Sequence, residues 1–478
     1  MTLYVSANIG RGVPMPVMSL RGRLGRAAAS FMRMLIVNPP SSTHRSVPRR
    51  LSACPGLSRI VSAKDGGICR VKLALGRITA DQARVVSQAA RQYGSGALEI
   101  TNRSNLQIRG VGPASGEALA ATLVDAGLGP RHPDADDVRN VLVSPSAGRD
   151  PRASLDVTAL AEALLVLLQE DPAFHTLSAK FAIQVDGREG MAVRAHAHDI
   201  WLSALPGGQR LQLGLAGAIG DGTIGEVTPS AAVDVVAHIL GRFVATARND
   251  QPRMRDLLAS SAGPGFLADI RADASLTSAG LSDLQHNAIQ KAPGIYVQRD
   301  GVRRMILAQA PLGRLDAAQL DALADIASLH GSGWLHLTPW QGVLLPDIGE
   351  RDASDVQQLL EALGLVTSAN APLAHLVACS GSVGCAKAHA DTKADALQLA
   401  SRLSQSAARP SVHLSGCPRT CASACIQPYT LLAQPGGRYT LFQHDPSVDG
   451  LGQLRASGLD IEAAAHWLCT NHHETFDD

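Results

Sequence analysis

The sequence predicts an α+β protein of several domains, built around a duplicated helix–strand unit and ending in a cysteine-rich domain. A chain of 478 residues is too long to fold around a single hydrophobic core. Its apolar content of 45% and charged content of 18% are typical of folded globular proteins rather than disordered ones. The repeated unit and the group of cysteines then divide the chain into domains.

Residues 1–50 differ in composition from the rest of the chain. They are rich in arginine, contain no acidic residue and lack the uninterrupted apolar stretch of a signal peptide. We therefore expect a disordered basic extension there, and without an export signal we expect a cytoplasmic protein with reduced cysteines. A net charge of +1 and the lack of a long apolar run argue against nucleic acid and membrane as partners.

The first copy of the duplicated unit lies in residues 54–125. Thr79 and Gln82 have the spacing of a capping box, so a helix is predicted to begin at Ala80. Alternating apolar residues before and after this helix predict strands. The predicted strands are residues 68–75, 97–101 and 105–111.

The second copy lies in residues 290–365. The segment from Gly313 aligns without a gap with the segment from Gly76, and it has its own capping box. A unit of this size repeated once indicates duplication, and two half-modules are expected to pair around one site. The copies diverge after the aligned helix: the first continues as NRSNLQIR and the second as PWQGVLLP. We expect the cationic copy to hold ligand and the apolar copy only to pack.

Residues 130–275 lie between the copies. We predict that they form a domain of mixed helices and strands, with one strand at residues 180–186. Gly220, Gly222 and Gly225 match the G-x-G-x-x-G dinucleotide pattern, which requires a helix that begins within the glycines. Here the next helix is predicted to open only at Thr228. A glycine turn between strand and helix is therefore favoured over a nucleotide site.

His196 and His198 are two residues apart and would share one face of a strand. Such a pair can form one edge of a metal site. Because the sequence shows no third ligand nearby, surface or packed histidines are the favoured interpretation.

Four cationic residues lie beside strand-like apolar segments. Each alone is explained as a solvated charge at a strand edge. Together they could form a cationic pocket for an anion or a polycarboxylate, since the planar guanidinium group binds carboxylates in bidentate fashion. The four residues are Arg103, Arg109, Arg139 and Lys180.

Five of the eight cysteines lie in residues 379–425, and four of them form a C-x5-C and a C-x3-C motif. The first motif is a glycine-rich loop that can wrap an inorganic core, and the second would place two thiolates on one side of a helix opening at Pro418. These gaps fit an iron–sulfur cluster better than structural zinc, with unligated thiols as the remaining alternative. The four candidate ligands are Cys379, Cys385, Cys417 and Cys421.

The cysteine motifs, with Gly416 and Pro418 on either side of Cys417, resemble those of the sulfite and nitrite reductase family over about residues 54–470. The resemblance implies two ferredoxin-like half-domains (54–125 and 290–365) and two sulfite-reductase-type α/β domains (130–275 and 370–478). It implies that the four cysteines hold a [4Fe-4S] cluster and that Cys421 also bridges to sirohaem iron. It further implies substrate-binding or catalytic roles for Arg103, Arg139 and Lys180.

The family's second catalytic lysine is missing, because the residue two positions after Lys180 is Ala182. The Cys-Pro-Gly-Leu motif from Cys54 and the TNRSNLQIRG segment from Thr101 are similar to the precorrin-3B synthase branch of the family. That branch implies a monooxygenase that hydroxylates the tetrapyrrole precorrin-3A with O₂ in aerobic cobalamin biosynthesis. It also implies a separate non-haem iron centre in place of sirohaem, and the four cations would bind substrate carboxylates.

Two alternatives remain at the level of sequence. One is a sirohaem-dependent sulfite or nitrite reductase, and the other is a non-enzymatic iron–sulfur or zinc protein. No flavin site and no convincing nicotinamide site is recognised in the sequence. An external electron donor is therefore expected, either NADH acting through a reductase or a ferredoxin.

Overall fold

The computed structural model describes residues 54–192, 194–278 and 291–471. The predicted extension at residues 1–50 lies outside these ranges. The described residues form four five-stranded sheets. The two repeats build two of these sheets, and each of the two segments that follow a repeat contains one more. No helix in the described ranges is both long and apolar enough to span a bilayer.

The first repeat begins with an antiparallel hairpin and contains the predicted helix. The capping box is present, because Thr79 Oγ1 accepts from the backbone N–H of Gln82 at 3.2 Å and Gln82 Oε1 accepts from that of Thr79 at 3.2 Å. The elements are β1 (Val61–Ala63), β2 (Gly66–Val71), β3 (Arg77–Thr79), α1 (Ala80–Tyr93), β4 (Ala97–Ile100), β5 (Leu106–Val111) and α2 (Gly116–Asp125).

The second repeat has the same order of elements, which confirms the duplication predicted from sequence. Leu75 and Leu312 even share a left-handed backbone conformation, with φ of 53° and 52°. Its elements, numbered after those of the domain between the repeats, are β11 (Gly294–Val297), β12 (Arg303–Gln309), β13 (Arg314–Asp316), α7 (Ala317–His330), β14 (Trp334–Leu337), β15 (Gly342–Gly349) and α8 (Ala353–Ala362).

The two repeats exchange one strand each. In the first sheet, β13 of the second repeat pairs antiparallel with β4, with Leu315 opposite Leu98. In the second sheet, β3 of the first repeat pairs antiparallel with β14, with Ile78 opposite Leu335. Residues of both repeats also contribute to one continuous hydrophobic core. Neither half-domain therefore has a complete sheet without the other.

The domain between the repeats carries a mixed sheet in which β6, β7 and β8 are parallel and β9 and β10 run antiparallel to their neighbours. Its helices pack on an apolar core of their own. The elements are β6 (Val141–Val143), α3 (Thr158–Glu170), β7 (Ile183–Asp186), β8 (His198–Ala204), β9 (Leu211–Gly217), β10 (Thr223–Val227), α4 (Ala232–Thr246), α5 (Met254–Leu258) and α6 (Gly263–Arg271).

Three local expectations in this domain were wrong. The glycines from Gly220 lie in and after a hairpin turn between two strands, β9 and β10, and not between a strand and a helix. The following helix begins at Ala232, so Thr228 is not its cap. The strand predicted from Lys180 begins only at Ile183, because the backbone before it turns at Ser178 and bonds to Phe181.

The C-terminal domain repeats this sheet topology. Strands β16, β17 and β18 are parallel, and β19 and β20 follow antiparallel. The mixed helices and sheets confirm the predicted fold class of duplicated ferredoxin-like half-domains plus two sulfite-reductase-type α/β domains. The elements are β16 (Leu376–Ala378), α9 (Gly381–Gly384), α10 (Thr392–Leu403), β17 (Val412–Ser415), β18 (Tyr429–Ala433), β19 (Tyr439–Gln443), β20 (Gln453–Leu459) and α11 (Ile461–Asn471).

Candidate functional site

The four candidate cluster cysteines follow two adjacent parallel strands. Cys379 comes directly after β16, and Cys417 comes two residues after the end of β17. The carboxyl ends of neighbouring parallel strands meet at one edge of a sheet, which brings the two cysteine motifs together. The sheet thus joins two pairs of thiols that are far apart in sequence.

Gly416 lies closely against the first of these thiols. Its backbone N–H donates to Cys379 Sγ at 3.2 Å. A Cβ atom at this position would lie 3.3 Å from that sulfur and 2.5 Å from the Cβ of Ala388. Backbone N–H donors to sulfur are a recurrent feature of cluster-binding cysteines, because they stabilise the thiolate. Glycine is required here for close approach of the backbone.

The four thiols are near enough to influence one another. The pKa of Cys421 is raised by burial, and the negative charges of Cys417, Cys379 and Cys385 raise it further. Burial also raises the pKa of Cys425, and the charge of Lys291 opposes this effect. The assignment of Cys379, Cys385, Cys417 and Cys421 as the four ligands stays a prediction, and these mutual charge effects are consistent with it.

The chemistry of this donor set fits a [4Fe-4S] cluster. Four cysteines supply one thiolate for each iron atom. In the described part of the chain, no three His, Cys, Asp or Glu side chains converge closely enough to hold one metal ion. The sequence gaps of five and three residues between these cysteines suit such a cluster better than the compact knuckles of a zinc site.

The predicted helix through Cys417 and Cys421 was wrong. Residues 416–425 form turns and bends, and Thr420 has a left-handed φ of 47° that interrupts any helical run. The first motif instead contains the short helix α9, with Cys385 directly after it. The second motif therefore lies on a loop and not on a shared helix face.

Arg109 connects the first half-domain to the cluster loop. Its guanidinium binds Asp65 through two hydrogen bonds of 2.8 and 2.7 Å and Glu99 through one of 3.1 Å. It also donates to the backbone carbonyl of Gly384 at 3.3 Å, next to Cys385. The side chain is only 2% exposed. This differs from the expected role in binding a substrate carboxylate, because the charge of Arg109 is committed to carboxylates of the chain itself.

Glu99 is the acidic centre of the same network. Burial alone would raise its pKa, but Lys393, Arg109 and Arg314 outweigh this effect and lower the pKa to about 2. Arg314 belongs to the exchanged strand β13 and contacts Glu99 at 2.7 Å. Glu99 therefore pairs with cations from three parts of the chain: Arg109 of the first repeat, Arg314 of the second repeat and Lys393 of the C-terminal domain.

Two of the predicted substrate-binding arginines, Arg103 and Arg139, line one small polar cavity of about 10 Å³ together with Ala182 and His198. Such a volume holds about one water molecule. Arg103 is largely desolvated, and burial together with Arg253 and Arg70 lowers its pKa to about 10.

The other groups around this cavity are more constrained. Arg139 donates to the carbonyls of Leu128 and Gly129 and pairs with Asp136 at 2.9 Å. Lys180 is exposed, and its backbone carbonyl accepts from Arg103 at 3.0 Å. The structure thus brings Arg103, Arg139 and the backbone of Lys180 together, while Arg109 lies at the cluster loop.

His196 and His198 are packed histidines, as the sequence analysis favoured. Their ring centroids are 4.6 Å apart, and His198 Nδ1 donates to the backbone carbonyl of His196 at 2.6 Å. Burial is the largest cause that lowers the pKa of both groups, to about 4 for His196. Both imidazoles are therefore neutral near pH 7.

A larger cavity of about 320 Å³ lies beside the cluster loop. Its wall includes residues 422–425, directly after Cys421, and residues 339–341 of the second repeat. His196 also lines it, so the histidine pair separates the large cavity from the small one. The apolar repeat, which was expected only to pack, contributes Trp340 and Gln341 to the wall of this cavity.

Sequence reasoning missed Trp340 and Gln341 as candidate site residues. They occupy the repeat positions of Arg103 and Ser104, so the duplication itself was the signal that could have identified them. Ser104 and Gln341 share a left-handed backbone, with φ of 55° and 67°. The same turn therefore presents a cation to the small cavity in one repeat and an indole to the large cavity in the other.

Comparisons with known proteins agree with this architecture. The nitrite/sulfite reductase ferredoxin-like half domain matches residues 62–126 and 296–363, and the nitrite and sulphite reductase 4Fe-4S domain matches residues 134–275. Together these matches cover more than half of the chain.

Curated relatives include both enzyme types considered above. A precorrin-3B synthase of Sinorhizobium sp. is 28% identical over 402 residues, which are 81% of this chain and 82% of that protein. The chloroplastic ferredoxin–nitrite reductase of Zea mays is 28% identical over 384 residues, 75% of this chain and 68% of the reductase. For the corresponding Arabidopsis thaliana enzyme the covered share is 65%. The chain thus spans about two thirds of the plant reductases it matches.

Among solved structures, the Mycobacterium tuberculosis NirA protein superposes with a TM-score of 0.70 at 21% identity, covering 86% of this chain and 82% of that one. At this identity the similarity establishes the fold. Two copies of the half-domain and the matching 4Fe-4S domain, over more than half of the chain, lead to one conclusion: this chain belongs to the nitrite and sulfite reductase family.

Proposed function

We propose that the chain is an oxidoreductase that hydroxylates precorrin-3A with O₂ to give precorrin-3B in aerobic cobalamin biosynthesis. The observation that carries this proposal is Ala182. Its methyl group is buried in the wall of the small cavity beside Arg103, at the position where the reductases of this family are expected to have a second lysine. Reduction of nitrite or sulfite consumes many protons, and loss of a cation weakens both anion binding and proton delivery.

The extent of similarity supports the same proposal. The synthase from Sinorhizobium sp. is matched over 82% of its length, whereas the plant nitrite reductases are matched over 64–68%. The percentage identities are equal. The two kinds of relative therefore differ in the share of their length that is aligned with this chain, and not in sequence identity. The alignment thus covers a larger share of the synthase than of the plant reductases.

In this proposal the two cavities have separate tasks. The large cavity beside the Cys421 loop binds the macrocycle. Arg103, Arg139 and Lys180 bind carboxylates of the macrocycle or contact O₂, the smaller substrate. In the overall reaction one atom of O₂ enters the macrocycle and the other leaves as water, with two electrons and two protons consumed. Arg103 is placed for an anionic group because its guanidinium lies at the small cavity and is largely desolvated.

The cluster held by the cysteine quartet would supply electrons to the site, received from a ferredoxin or from NADH through a reductase. The synthase branch also implies a second, non-haem iron. The described residues do not offer three side chains that converge on one ion.

Isotope labelling tests the proposal directly. The protein is reconstituted anaerobically with iron and sulfide, supplied with a reductant and precorrin-3A, and then exposed to labelled O₂. One labelled oxygen atom in the product is expected, with none when the label is supplied as water. A product formed without label from O₂ contradicts the proposal.

A sirohaem-dependent nitrite or sulfite reductase is the second candidate, favoured by the 28% identity to plant nitrite reductases. The absorption spectrum of the purified protein separates the two. A Soret band with visible sirohaem bands, together with reduction of nitrite or sulfite, supports the reductase. A broad cluster absorption alone, with neither anion consumed, supports the synthase.

A further inference from the structure

Cys379 is the candidate cluster ligand whose sulfur makes hydrogen-bond contacts within the described residues. Its Sγ lies 3.4 Å from the hydroxyl oxygen of Thr392, and it accepts from the backbone N–H of Gly416 at 3.2 Å. The hydroxyl of Thr392 also donates to the backbone carbonyl of Cys379 at 2.9 Å. One side chain outside the cysteine motifs thus contacts both the sulfur and the backbone of a candidate ligand.

Thr392 is held in a fixed position against the first cysteine motif. It is the first residue of α10 and is fully buried. The next residue, Lys393, donates to the carbonyl of Leu312 in the second repeat at 2.6 Å and lies 3.7 Å from Glu99. Gly381 of the motif has a left-handed φ of 64°, and a Cβ there would lie 2.8 Å from the backbone nitrogen of Thr392. Because the helix start and the loop pack this closely, the hydroxyl stays beside Cys379.

The hydrogen bonds of this hydroxyl depend on whether the sulfur carries a proton. A free thiol can donate its S–H to Oγ1 of Thr392 while the hydroxyl donates to the carbonyl of Cys379. A sulfur bound to iron is a thiolate, which has no proton and only accepts. The hydroxyl hydrogen rotates freely about one bond, so the sulfur at 3.4 Å then becomes an acceptor for it.

We propose that Thr392 is a positioning residue for electron transfer: its hydroxyl orients Cys379 and, when this sulfur binds iron, donates to it and raises the reduction potential of the cluster. A reduced cluster carries one more negative charge than an oxidised one, so a donor at a ligand sulfur stabilises the reduced state more. The inference rests on the proposed function in one respect, namely that the cluster supplies electrons to the site. Its test requires no substrate.

Redox titration of the reconstituted full-length protein measures this effect. The protein is reduced stepwise under anaerobic conditions, and the visible absorbance and EPR signal of the cluster are followed against the applied potential. Thr392→Val keeps the shape of the side chain and removes the hydroxyl. At a fixed potential the ratio of reduced to oxidised cluster should fall about tenfold, which places the midpoint about 59 mV lower for a one-electron couple. Thr392→Ser keeps the hydroxyl and should have the native midpoint.

Thr158→Val is the matched control. Thr158 is the first residue of α3, the helix that follows the loop after β6 as α10 follows the loop after β16. Gly148 in that loop has a left-handed φ of 80°, as Gly381 has in the cysteine motif, but the loop contains no cysteine. The midpoint and the iron content of Thr158→Val should therefore equal those of the native protein.

Each outcome decides for or against the role of the hydroxyl. A native midpoint in Thr392→Val, or the same loss of potential or of cluster in Thr392→Ser, overturns the inference, as does failure of the native protein to bind iron and sulfide. Loss of the cluster from Thr392→Val, with native iron content in Thr392→Ser, supports positioning of Cys379 by the hydroxyl. A lowered midpoint in Thr392→Val, without incorporation of labelled oxygen into precorrin-3A by the native protein, supports this inference and contradicts the proposed function alone.

Discussion

Arg109 and Asp65 form a bidentate ion pair, with Nε–Oδ2 and Nη2–Oδ1 distances of 2.8 and 2.7 Å, directly beside the cluster loop. The same guanidinium donates to the carbonyl of Gly384, and a Cβ on that glycine would lie 2.7 Å from Nη2. The loop between Cys379 and Cys385 is thus positioned by a charge that belongs to the first half-domain.

Replacement of this arginine should destabilise both the fold and the cluster. Arg109→Met leaves Asp65 without its bidentate partner and removes one of three cations around Glu99, so the free energy of unfolding should fall by about 3 kcal/mol. Iron and sulfide content after purification should fall as well. Arg91→Met is the control, since the Arg91–Asp321 pair is solvent-exposed and should contribute less than about 1 kcal/mol. Equal unfolding curves for the two variants would show that Arg109 has no such role.

Glu99 should make stability depend on acidic pH. Its folded-state pKa is about 2, below the value of about 4.3 for an unperturbed glutamate in the unfolded chain. The unfolded state therefore takes up the proton first as the pH falls. The stability contributed by Glu99 is present above about pH 5 and is lost between there and about pH 2.

Urea unfolding between pH 6 and pH 3 measures this contribution. Glu99→Gln should be less stable than the native protein at pH 6, with a difference that shrinks as the pH falls. Glu117→Gln, at an exposed position of α2, is the matched control and should follow the native curve. A difference for Glu99→Gln that stays constant over this range would contradict the assignment.

Much of this architecture could be predicted from sequence, because capping boxes and alternating strands are local signals. The helix α1 and the duplication were predicted correctly for this reason. The strand exchange could not be predicted, since β3 and β13 look like ordinary strands and only their distant partners reveal it. Similarly, the spacing of Cys417 and Cys421 fits a helix, and it is the left-handed backbone at Thr420 that excludes one.

In the candidate site too, the residue types could be read from the sequence, whereas the tertiary contacts of each residue could not. The cysteine quartet stays a prediction, made from the sequence because a cluster requires one thiolate for each iron. Arg109 and Arg103 look alike in sequence, but one is paired with Asp65 and Glu99 while the other lines a cavity. The number of carboxylates near each guanidinium depends on tertiary packing, which no local pattern reports.

Glu189 should have the opposite pH dependence to Glu99. It is 1% exposed, and burial together with the negative charge of Asp186 raises its pKa well above the usual value. The folded state therefore keeps this proton after the unfolded state has lost it, and stability falls as the pH rises above about 4.3. Glu189→Gln should be more stable than the native protein at pH 8, with a smaller gain at pH 4.5.

The amide of Glu189→Gln can keep the acceptor for the backbone N–H of Gly187, which the carboxylate now binds at 2.8 Å. Glu170→Gln is the control of opposite sign, because the Glu170 carboxylate is exposed and Arg131 lowers its pKa. Glu170→Gln should not stabilise the protein at pH 8. A native-like urea curve for Glu189→Gln at pH 8 would show that the pKa of Glu189 is not raised in the folded protein.

Arg103 should determine affinity for the anionic partner of the site. Arg103→Gln removes a desolvated charge at the small cavity, and hydrogen bonds to charged groups contribute about 1.5–3 kcal/mol. We expect at least a tenfold increase in the KM for precorrin-3A with a smaller change in kcat. Arg248→Gln, at an exposed pair with Asp250, is the control and should leave KM unchanged. A fall in kcat alone would assign Arg103 to the chemical step rather than to binding.

Cys421 and Cys425 should differ sharply in their importance for the cluster. The charges of three other quartet cysteines act on Cys421, while Cys425 lines the large cavity near Lys291. Cys421→Ser removes one of four thiolate ligands, so the reconstituted protein should lose most of its iron, sulfide and visible absorption. Cys425→Ser should retain all three, because four ligands remain. Full cluster content in Cys421→Ser, or its loss in Cys425→Ser, would place Cys425 in the ligand set, and the loop after Cys417 would then have to fold differently around the iron.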